Sequence, residues 1–284
     1  MTMLLLRRAR RLVTRPIPAV CMGVLAANVA FAQGVHLQIK PRVGDTLRMR
    51  LDQSTEMTGT RKGAMSESSS SMMTSMRVYT RAVVEGSSNT STTLLTFSDS
   101  AFVAAGDRRQ PTNETPLGVA GMKVRVRVMP DGTVEMADAN APVDAAETLA
   151  LIPAALPKEP VEVGSTWKRE MTLPTTTSIG RTPGGRLTAT FRLDSLGRGG
   201  DLAYISLHGE MLPDEHAERS ALAPRLDRGV VTGTLLLDRK RGWLTDSRFD
   251  ISVQSTLAPP TAGDSTVMHF TMRVTQRMRT LDRK

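Results

Sequence analysis

Apolar and polar residues alternate with a period of two along much of the chain, which is typical of strands with one buried and one wet face. The clearest run is Lys123–Val128, in which valines alternate with cations. Similar runs lie at 47–51, 187–193, 248–254 and 268–275. Because strands of parallel sheets are buried on both faces, this alternation favours an antiparallel sheet. We predict a mainly β fold with a curved antiparallel sheet or half-barrel.

Clusters of Gly, Asn and Asp separate these runs and predict hairpins. They lie at 86–89, 130–132, 197–200 and 238–242. One segment has helical spacing instead: after Asn140 and Pro142, apolar residues recur at 145, 149, 152 and 156. We therefore predict one short amphipathic helix near 143–153, its apolar side on the sheet, and a helical turn near 214–222.

A weak internal repeat links two parts of the chain. Val43–Arg48 resembles Val163–Lys168, and the segment 126–134 resembles 235–244. This predicts a first β half at 33–140, a helix and Pro-rich connector at 141–160, and a second β half at 161–284. We expect the two halves to form one integrated domain.

The first 32 residues have the pattern of an export signal. Five arginines precede an apolar stretch, Ile17–Ala32, that ends in an A-x-A site, so cleavage is expected after Ala32. The apolar stretch is shorter than the roughly 20 residues that span a bilayer. The chain is predicted to be periplasmic or extracellular. Its one cysteine, Cys21, lies inside the signal in a context that disfavours acylation.

Removal of the signal changes the charge of the protein. Five of the 37 basic residues and none of the 28 acidic ones lie in residues 1–32, so 32 basic residues remain and the net charge falls from +9 to +4. Aromatic residues make up 4% of the chain, too few for stacking on single-stranded bases. A nucleic-acid partner is therefore not expected.

Candidate catalytic motifs are weak. Ser165 and Lys168 match the S-x-x-K pattern of penicillin-binding enzymes, which requires both on one helix face. The flanking residues indicate the start of a strand, in which positions i and i+3 face opposite ways. We assign no catalytic residue and no cofactor, and we predict that the protein is not an enzyme.

Candidate metal ligands form two groups. Hard ligands cluster in a predicted surface loop, and thioethers that can bind Cu(I) cluster in a Ser-rich stretch. The groups are Asp214, Glu215, His216 and Glu218, and Met65, Met72, Met73 and Met76. A solvated loop and adaptable core filling explain them better, since Met72 and Met76 share one strand face and Met268 and Met272 share another. We assign no metal ligand. Asn89 and Asn113 fit the N-glycosylation pattern.

Several of these segments together resemble a family of exported bacterial β-rich proteins without assigned function, over roughly residues 40–284. They are the two Val-Gly-x-Thr strand openings, the Met129–Gly132 turn, Leu156-Pro157, Pro160–Trp167 and the hairpin at 238–243. The resemblance implies an envelope or secreted location and no catalytic residue. Many such proteins resemble lipoproteins, a pattern from which this signal departs. A more distant likeness of shape is to envelope lipoprotein carriers, which bind acyl chains on a concave sheet.

These observations predict a non-catalytic exported envelope protein that binds a lipid, another apolar ligand or a protein partner on a curved sheet. Two alternatives remain open. One is a cell-envelope hydrolase with an unidentified site, and the other is copper binding through methionines. The sequence leaves the ligand and the oligomeric state open.

Overall fold

The computed structural model describes residues 34–62, 67–106, 113–137, 156–173, 176–177, 180–181, 185–213, 225–257 and 267–281. Contacts divide the chain into two units, Met1–Ala32 and Gln33–Lys284. The first unit lies outside the described residues, as does Cys21 within it. Export and cleavage after Ala32 therefore stay predictions.

Strands dominate the described residues, as the alternation predicts. They are β1 (Thr46–Lys62), β2 (Glu67–Ser87), β3 (Thr92–Gly106), β4 (Thr115–Pro116), β5 (Lys123–Val128), β6 (Val134–Met136), β7 (Thr166–Leu173), β8 (Thr176–Thr177), β9 (Gly180–Arg181), β10 (Gly185–Gly197), β11 (Leu202–Pro213), β12 (Arg225–Asp238), β13 (Trp243–Leu257) and β14 (Val267–Leu281). One 3₁₀ turn, Arg198–Gly200, is the helical element of this part of the chain.

The predicted helix near 143–153 is not supported: both that segment and the predicted turn at 214–222 lie outside the described residues. Within the described ranges, no helix has the length and apolar content needed to cross a membrane.

Twelve strands form one open antiparallel sheet, which confirms the predicted fold class. Its order is β6-β5-β3-β2-β1-β14-β13-β12-β11-β10-β7, with β4 paired to β3, while β8 and β9 form a separate pair. The sheet therefore consists of two five-stranded meanders, β1 to β6 without β4 and β7 to β13 without β8 and β9. Strand β14 joins them, because it pairs with β1 on one side and β13 on the other.

The predicted repeat has a structural counterpart in the turns that begin β1 and β7. Gly44 and Gly164 both adopt positive φ, at 87° and 91°, where glycine has no steric penalty. The side chains of Asp45 and Ser165 accept hydrogen bonds from the backbone amides three residues earlier, at 3.1 Å in each turn. The amides of Gly44 and Gly164 then donate to neighbouring strands in the same way. The two halves therefore begin with the same local structure.

Each long strand presents an apolar face to the interior and a charged face to solvent. In β1, Leu47, Met49 and Leu51 are buried, and the register places Leu47 opposite Ala82 and Leu51 opposite Val78. Burial of one such aliphatic side chain contributes roughly 1.5–3 kcal/mol. We call the face that carries these residues the inner face.

The sheet is strongly curved toward its inner face. Laid flat, its eleven consecutive strands would separate β6 from β7 by about 48 Å, at about 4.8 Å per strand. Yet Asp131, in the turn that leads into β6, lies 3.5 Å from the guanidinium of Arg169 in β7. The two edges of the sheet therefore meet at this end, and inner-face residues from both edges join one apolar core.

A backbone segment at 35–41 closes the end of the sheet where the edges meet. Val35 forms a β-bridge with Val161, the Ile39 amide donates to the Pro130 carbonyl at 2.8 Å, and the Lys40 amide donates to the Gly242 carbonyl at 2.9 Å. Leu37 and Ile39 are each 2% exposed. We call this end of the sheet the proximal end, and the opposite end, where β1 finishes and β14 begins, the distal end.

The outer face carries ion pairs between neighbouring strands. Asp52 accepts hydrogen bonds from Arg50, Arg77 and Arg279, at 2.7 to 3.4 Å. Burial raises the pKa of the Asp52 carboxyl, but the hydrogen bonds from these arginines outweigh burial and hold its pKa below the ordinary value. Arg277 pairs with Asp246 in the same way at 2.6 Å. Ion pairs between strands thus compensate part of the charge of the outer face.

Candidate functional site

Packing on the inner face changes along the strands. At the proximal end, Leu47, Phe191 and Leu237 have no solvent exposure. Toward the distal end, Met57, Phe270 and Met272 are partly exposed, and the exposed fraction of Met72 reaches 49%. These partly exposed side chains are apolar and lie next to one another, and a contiguous exposed apolar patch marks an interaction site more often than scattered apolar residues do. The distal inner face is therefore the candidate site.

One lateral row across eight strands is apolar at every position. Directly opposite residues in an antiparallel sheet have Cβ atoms about 4.5–5.5 Å apart, so consecutive members of the row are in reach of each other. From β2 to β7 the row comprises Met72, Met57, Met272, Val253, Gly229, Met211, Leu187 and Met171. We call it the methionine row.

Glycines on the inner face leave room for neighbouring side chains. A Cβ on Gly229 would lie 2.8 Å from the Met211 sulfur, and a Cβ on Gly59 would lie 3.2 Å from the Phe270 ring. The large side chains therefore lie flat across these glycines, where any other residue would displace them. Flexible thioethers and the Phe270 ring contribute much of the apolar surface of the distal inner face.

A polar band separates this surface from the proximal core. Gln53 and Gln276 lie opposite each other, and both are buried, at 8% and 4% exposure. The Gln53 side-chain amide donates to the Thr55 hydroxyl at 3.4 Å. This band offers amide and hydroxyl groups at the border of the apolar surface, where a ligand's polar atoms would find hydrogen-bond partners.

The structure divides the methionine group proposed from the sequence. Met72 and Met76 lie on the inner face, as predicted, while Met73 lies on the outer face opposite Glu56. Met65 lies outside the described residues. The second predicted set is also confirmed, since Met268 and Met272 share the inner face with Phe270. Met72, Met73 and Met76 therefore do not share one face, because adjacent strand residues point to opposite faces.

The strand interpretation of the S-x-x-K match is confirmed. Lys168 lies in β7, and Ser165 belongs to the turn before it. The Ser165 hydroxyl accepts a hydrogen bond from the Glu162 amide. Ser165 and Lys168 therefore do not lie on one helix face, which the S-x-x-K pattern requires.

The acidic and histidine group, Asp214, Glu215, His216 and Glu218, lies outside the described residues. In the part of the chain that the structure describes, no three His, Cys, Asp or Glu residues converge to hold a metal ion. Asn89 and Asn113 are both exposed.

A cleft of about 330 Å³ with mixed polar and apolar walls lies at the proximal end. His36, Gln38, Pro130, Asp131 and Lys158 contribute to its walls. Asp131 is already engaged by Arg169 and by the amide of Thr133, at 3.0 Å. The cleft thus lies between the closing segment and the β5–β6 turn, at the opposite end from the methionine row.

Sequence patterns missed three methionines of the row. Met57, Met171 and Met211 are far apart in the chain and become neighbours of other row members only through strand pairing. Alternation alone places each on an inner face. It does not tell which strands are adjacent.

Comparison with known proteins gives a fold and no family. No protein-family model matches the sequence, and no curated protein matches it. A structure of lipovitellin, described for its lipid–protein interactions, is similar with a TM-score of 0.51 and 12% identity, over 85% of this chain and 25% of that chain. This chain therefore spans about a quarter of the lipovitellin chain. At this identity the similarity shows a related sheet fold alone.

Two further solved structures have lower scores. An outer membrane channel from Pseudomonas putida F1 aligns with a TM-score of 0.25 and 7% identity, over 86% of this chain and 98% of that one. A DUF1329 family protein from Desulfovibrio piger aligns with a TM-score of 0.15 and 10% identity, over 78% and 83%. TM-scores below 0.5 do not establish a shared fold, so the predicted family stays a prediction.

Proposed function

We propose that the protein is a non-catalytic exported envelope protein that binds an apolar ligand, a lipid acyl chain, on its distal inner face. The observation that carries this proposal is the methionine row, whose members at Met72, Met57 and Met272 are adjacent and partly exposed. Each Å² of this surface that a ligand removes from water contributes roughly 25 cal/mol. The export signal at residues 1–32 supports an envelope or secreted location.

Methionine suits this role better than a branched aliphatic residue. Its three rotatable bonds and polarisable sulfur let one surface fit chains of different length and unsaturation. The related sheet of lipovitellin, a protein described for its lipid–protein interactions, supports the proposal at the level of fold. The proposal needs no catalytic group. A cell-envelope hydrolase stays an alternative, for which we name no nucleophile.

We expect native mass spectrometry of the exported protein, purified after expression of the full-length chain, to show co-purified lipid. The neutral fluorophore N-phenyl-1-naphthylamine should bind as well. Replacing both Met57 and Met272 with aspartate should weaken fluorophore binding at least tenfold, because a bound apolar ligand would bury unpaired carboxylates.

The control is Met73→Asp, which adds one such carboxylate on the outer face, next to Met72 in sequence. It should leave fluorophore binding unchanged, and circular dichroism should show strand content intact in both variants. A protein free of lipid and unable to bind the fluorophore would contradict the proposal. So would equal weakening by Met73→Asp, since the two faces would then be equivalent.

Copper binding is the second candidate, and one observation favours it. Met72, Met57 and Met272 bring three thioethers side by side on three neighbouring strands, and thioethers prefer Cu(I). We expect a Cu(I) site to raise the melting temperature, and the joint change of Met57, Met72 and Met272 to leucine should abolish the rise. Leucine keeps the surface apolar, so lipid binding should persist. Met73→Leu should retain the rise, and a rise that survives the triple change would eliminate this site.

A further inference from the structure

We propose that the bound lipid is an anionic amphiphile whose carboxylate or phosphate head group binds Arg61 at the distal end of the inner face. This rests on the proposed function, because it names the class of lipid that the same surface binds. It adds a charge requirement that an apolar surface does not impose.

The register places Arg61 on the inner face, four residues beyond Met57 of the methionine row along β1. A Cβ on Gly59 would meet the Phe270 ring and the Ser70 hydroxyl, which fixes the inner side of β1 at this level. Arg61 lies two residues further along the same strand, and therefore on the same face. Its neighbours across the sheet are Ser68 on β2 and Met268 on β14.

Charge on the inner face is rare. Among the strands of the described ranges, Arg61 and Arg169 are the charged residues at inner positions. Arg169 is occupied, because its guanidinium donates to the Leu156 carbonyl and pairs with Asp131.

Arg61 differs from Arg169 and from many arginines of the outer face. Its side chain is exposed, and no hydrogen bond or ion pair joins it to any described residue. On the outer face, by contrast, Arg50, Arg77 and Arg277 each have a carboxylate partner. A cation beside an apolar surface, with no acid partner among the described residues, is the arrangement that favours an anionic ligand.

The spacing along β1 is long enough to accommodate one lipid chain. Thr55 of the polar band and Arg61 are six residues apart, about 20 Å at about 3.4 Å per residue. One leaflet of a bilayer's hydrocarbon core is about 15 Å thick. An acyl chain can therefore lie across the methionine row between the polar band and Arg61. The hydroxyls of Ser68 and Ser70 lie at the same end and can donate to head-group oxygens.

Three probes with the same C16 chain test this inference by displacing N-phenyl-1-naphthylamine from the exported protein, below their micelle concentrations. They are palmitic acid, 1-palmitoyl-glycerol-3-phosphate and neutral 1-palmitoylglycerol. We expect at least one anionic probe to displace the fluorophore at about tenfold lower concentration than the neutral probe, an advantage that weakens with added salt. If one anion alone shows the advantage, the proposal stands and that anion identifies the head group.

Arg61→Gln should remove this advantage while leaving displacement by neutral 1-palmitoylglycerol unchanged, and Arg61→Lys should retain part of it. Arg273→Gln, which removes an exposed cation from the outer face of β14, is the matched control and should change nothing. Equal displacement by all three probes, or an advantage that survives Arg61→Gln, would overturn the role of Arg61 while leaving apolar binding intact. Failure of every probe to displace the fluorophore would count against the proposed function as well.

Discussion

Replacing Gly242 with alanine is expected to lower the free energy of unfolding by about 3 kcal/mol. Gly242 has a φ of 65°, a left-handed conformation that costs an alanine roughly 1–2 kcal/mol. The new Cβ would also lie closer than 3.0 Å to the carbonyl oxygen of Lys40. Such overpacking typically costs a further 1–3 kcal/mol.

The Lys40 backbone has little freedom to relieve this clash. Its amide donates to the Gly242 carbonyl at 2.9 Å, and the preceding Ile39 amide donates to the Pro130 carbonyl at 2.8 Å. Moving Lys40 away would break contacts that hold the closing segment 35–41 on the proximal end. Ile39, now 2% exposed, would then be pulled toward solvent.

Gly164→Ala is the control that separates backbone strain from the clash. Gly164 has a φ of 91°, but a Cβ there would meet no atom within 4 Å. Equilibrium urea denaturation of the two variants should therefore show a loss of roughly 1–2 kcal/mol for Gly164→Ala and a clearly larger loss for Gly242→Ala. Equal losses would mean that the closing segment is not held by this turn.

The sequence predicts which residues face inward because alternation is local. Lys123–Val128 forms β5, and its three valines at 124, 126 and 128 are buried, as the pattern indicates. The turns at Gly44 and Gly164 are similarly local, since a Gly with positive φ followed by a residue that caps the turn recurs in both halves. Fold class, faces and the repeat are therefore readable from the residues alone.

Lateral order is not readable in this way, because every strand offers the same backbone hydrogen-bonding groups to its neighbours. No local signal indicates that β14 lies between β1 and β13. From the sequence alone, Met72 is therefore grouped with Met73, which is its neighbour in the chain. In the folded sheet, strand pairing places Met72 beside Met57 and Met57 beside Met272. The candidate site depends on register, so it could be assembled only from the structure.

The closing segment illustrates the same limit. Residues 35–41 do not form a long strand, and their contacts are with the turns at Pro130 and Gly242, far away in the chain. Curvature is equally non-local, since it becomes apparent from the contact between Asp131 and Arg169 at opposite edges of the sheet. An alternating sequence is compatible with flat and curved sheets alike.

Phe191→Ala is expected to destabilise the protein by about 3–5 kcal/mol, the usual cost of removing a fully buried phenylalanine. Phe191 has no solvent exposure, and its ring stacks on Trp167 with centroids 5.8 Å apart. Strand β7, which carries Trp167, is the edge strand and pairs with β10, which carries Phe191. The stack of the two rings therefore helps to hold β7 on the sheet. Loss of the ring would leave a cavity beside Leu207 and weaken the attachment of β7.

Phe97→Ala removes the same side chain from the outer face and serves as the control. Phe97 is partly exposed, and its ring lies under the Arg81 guanidinium at 4.8 Å. An exposed cation–π contact contributes about 0.5–1 kcal/mol, so the loss in urea denaturation should be less than half that of Phe191→Ala. Hydrogen exchange should also accelerate at β7 amides in Phe191→Ala and not in Phe97→Ala. Equal destabilisation would show that the inner face is not the core of this sheet, and the apolar surface of the methionine row would then lose its packed support.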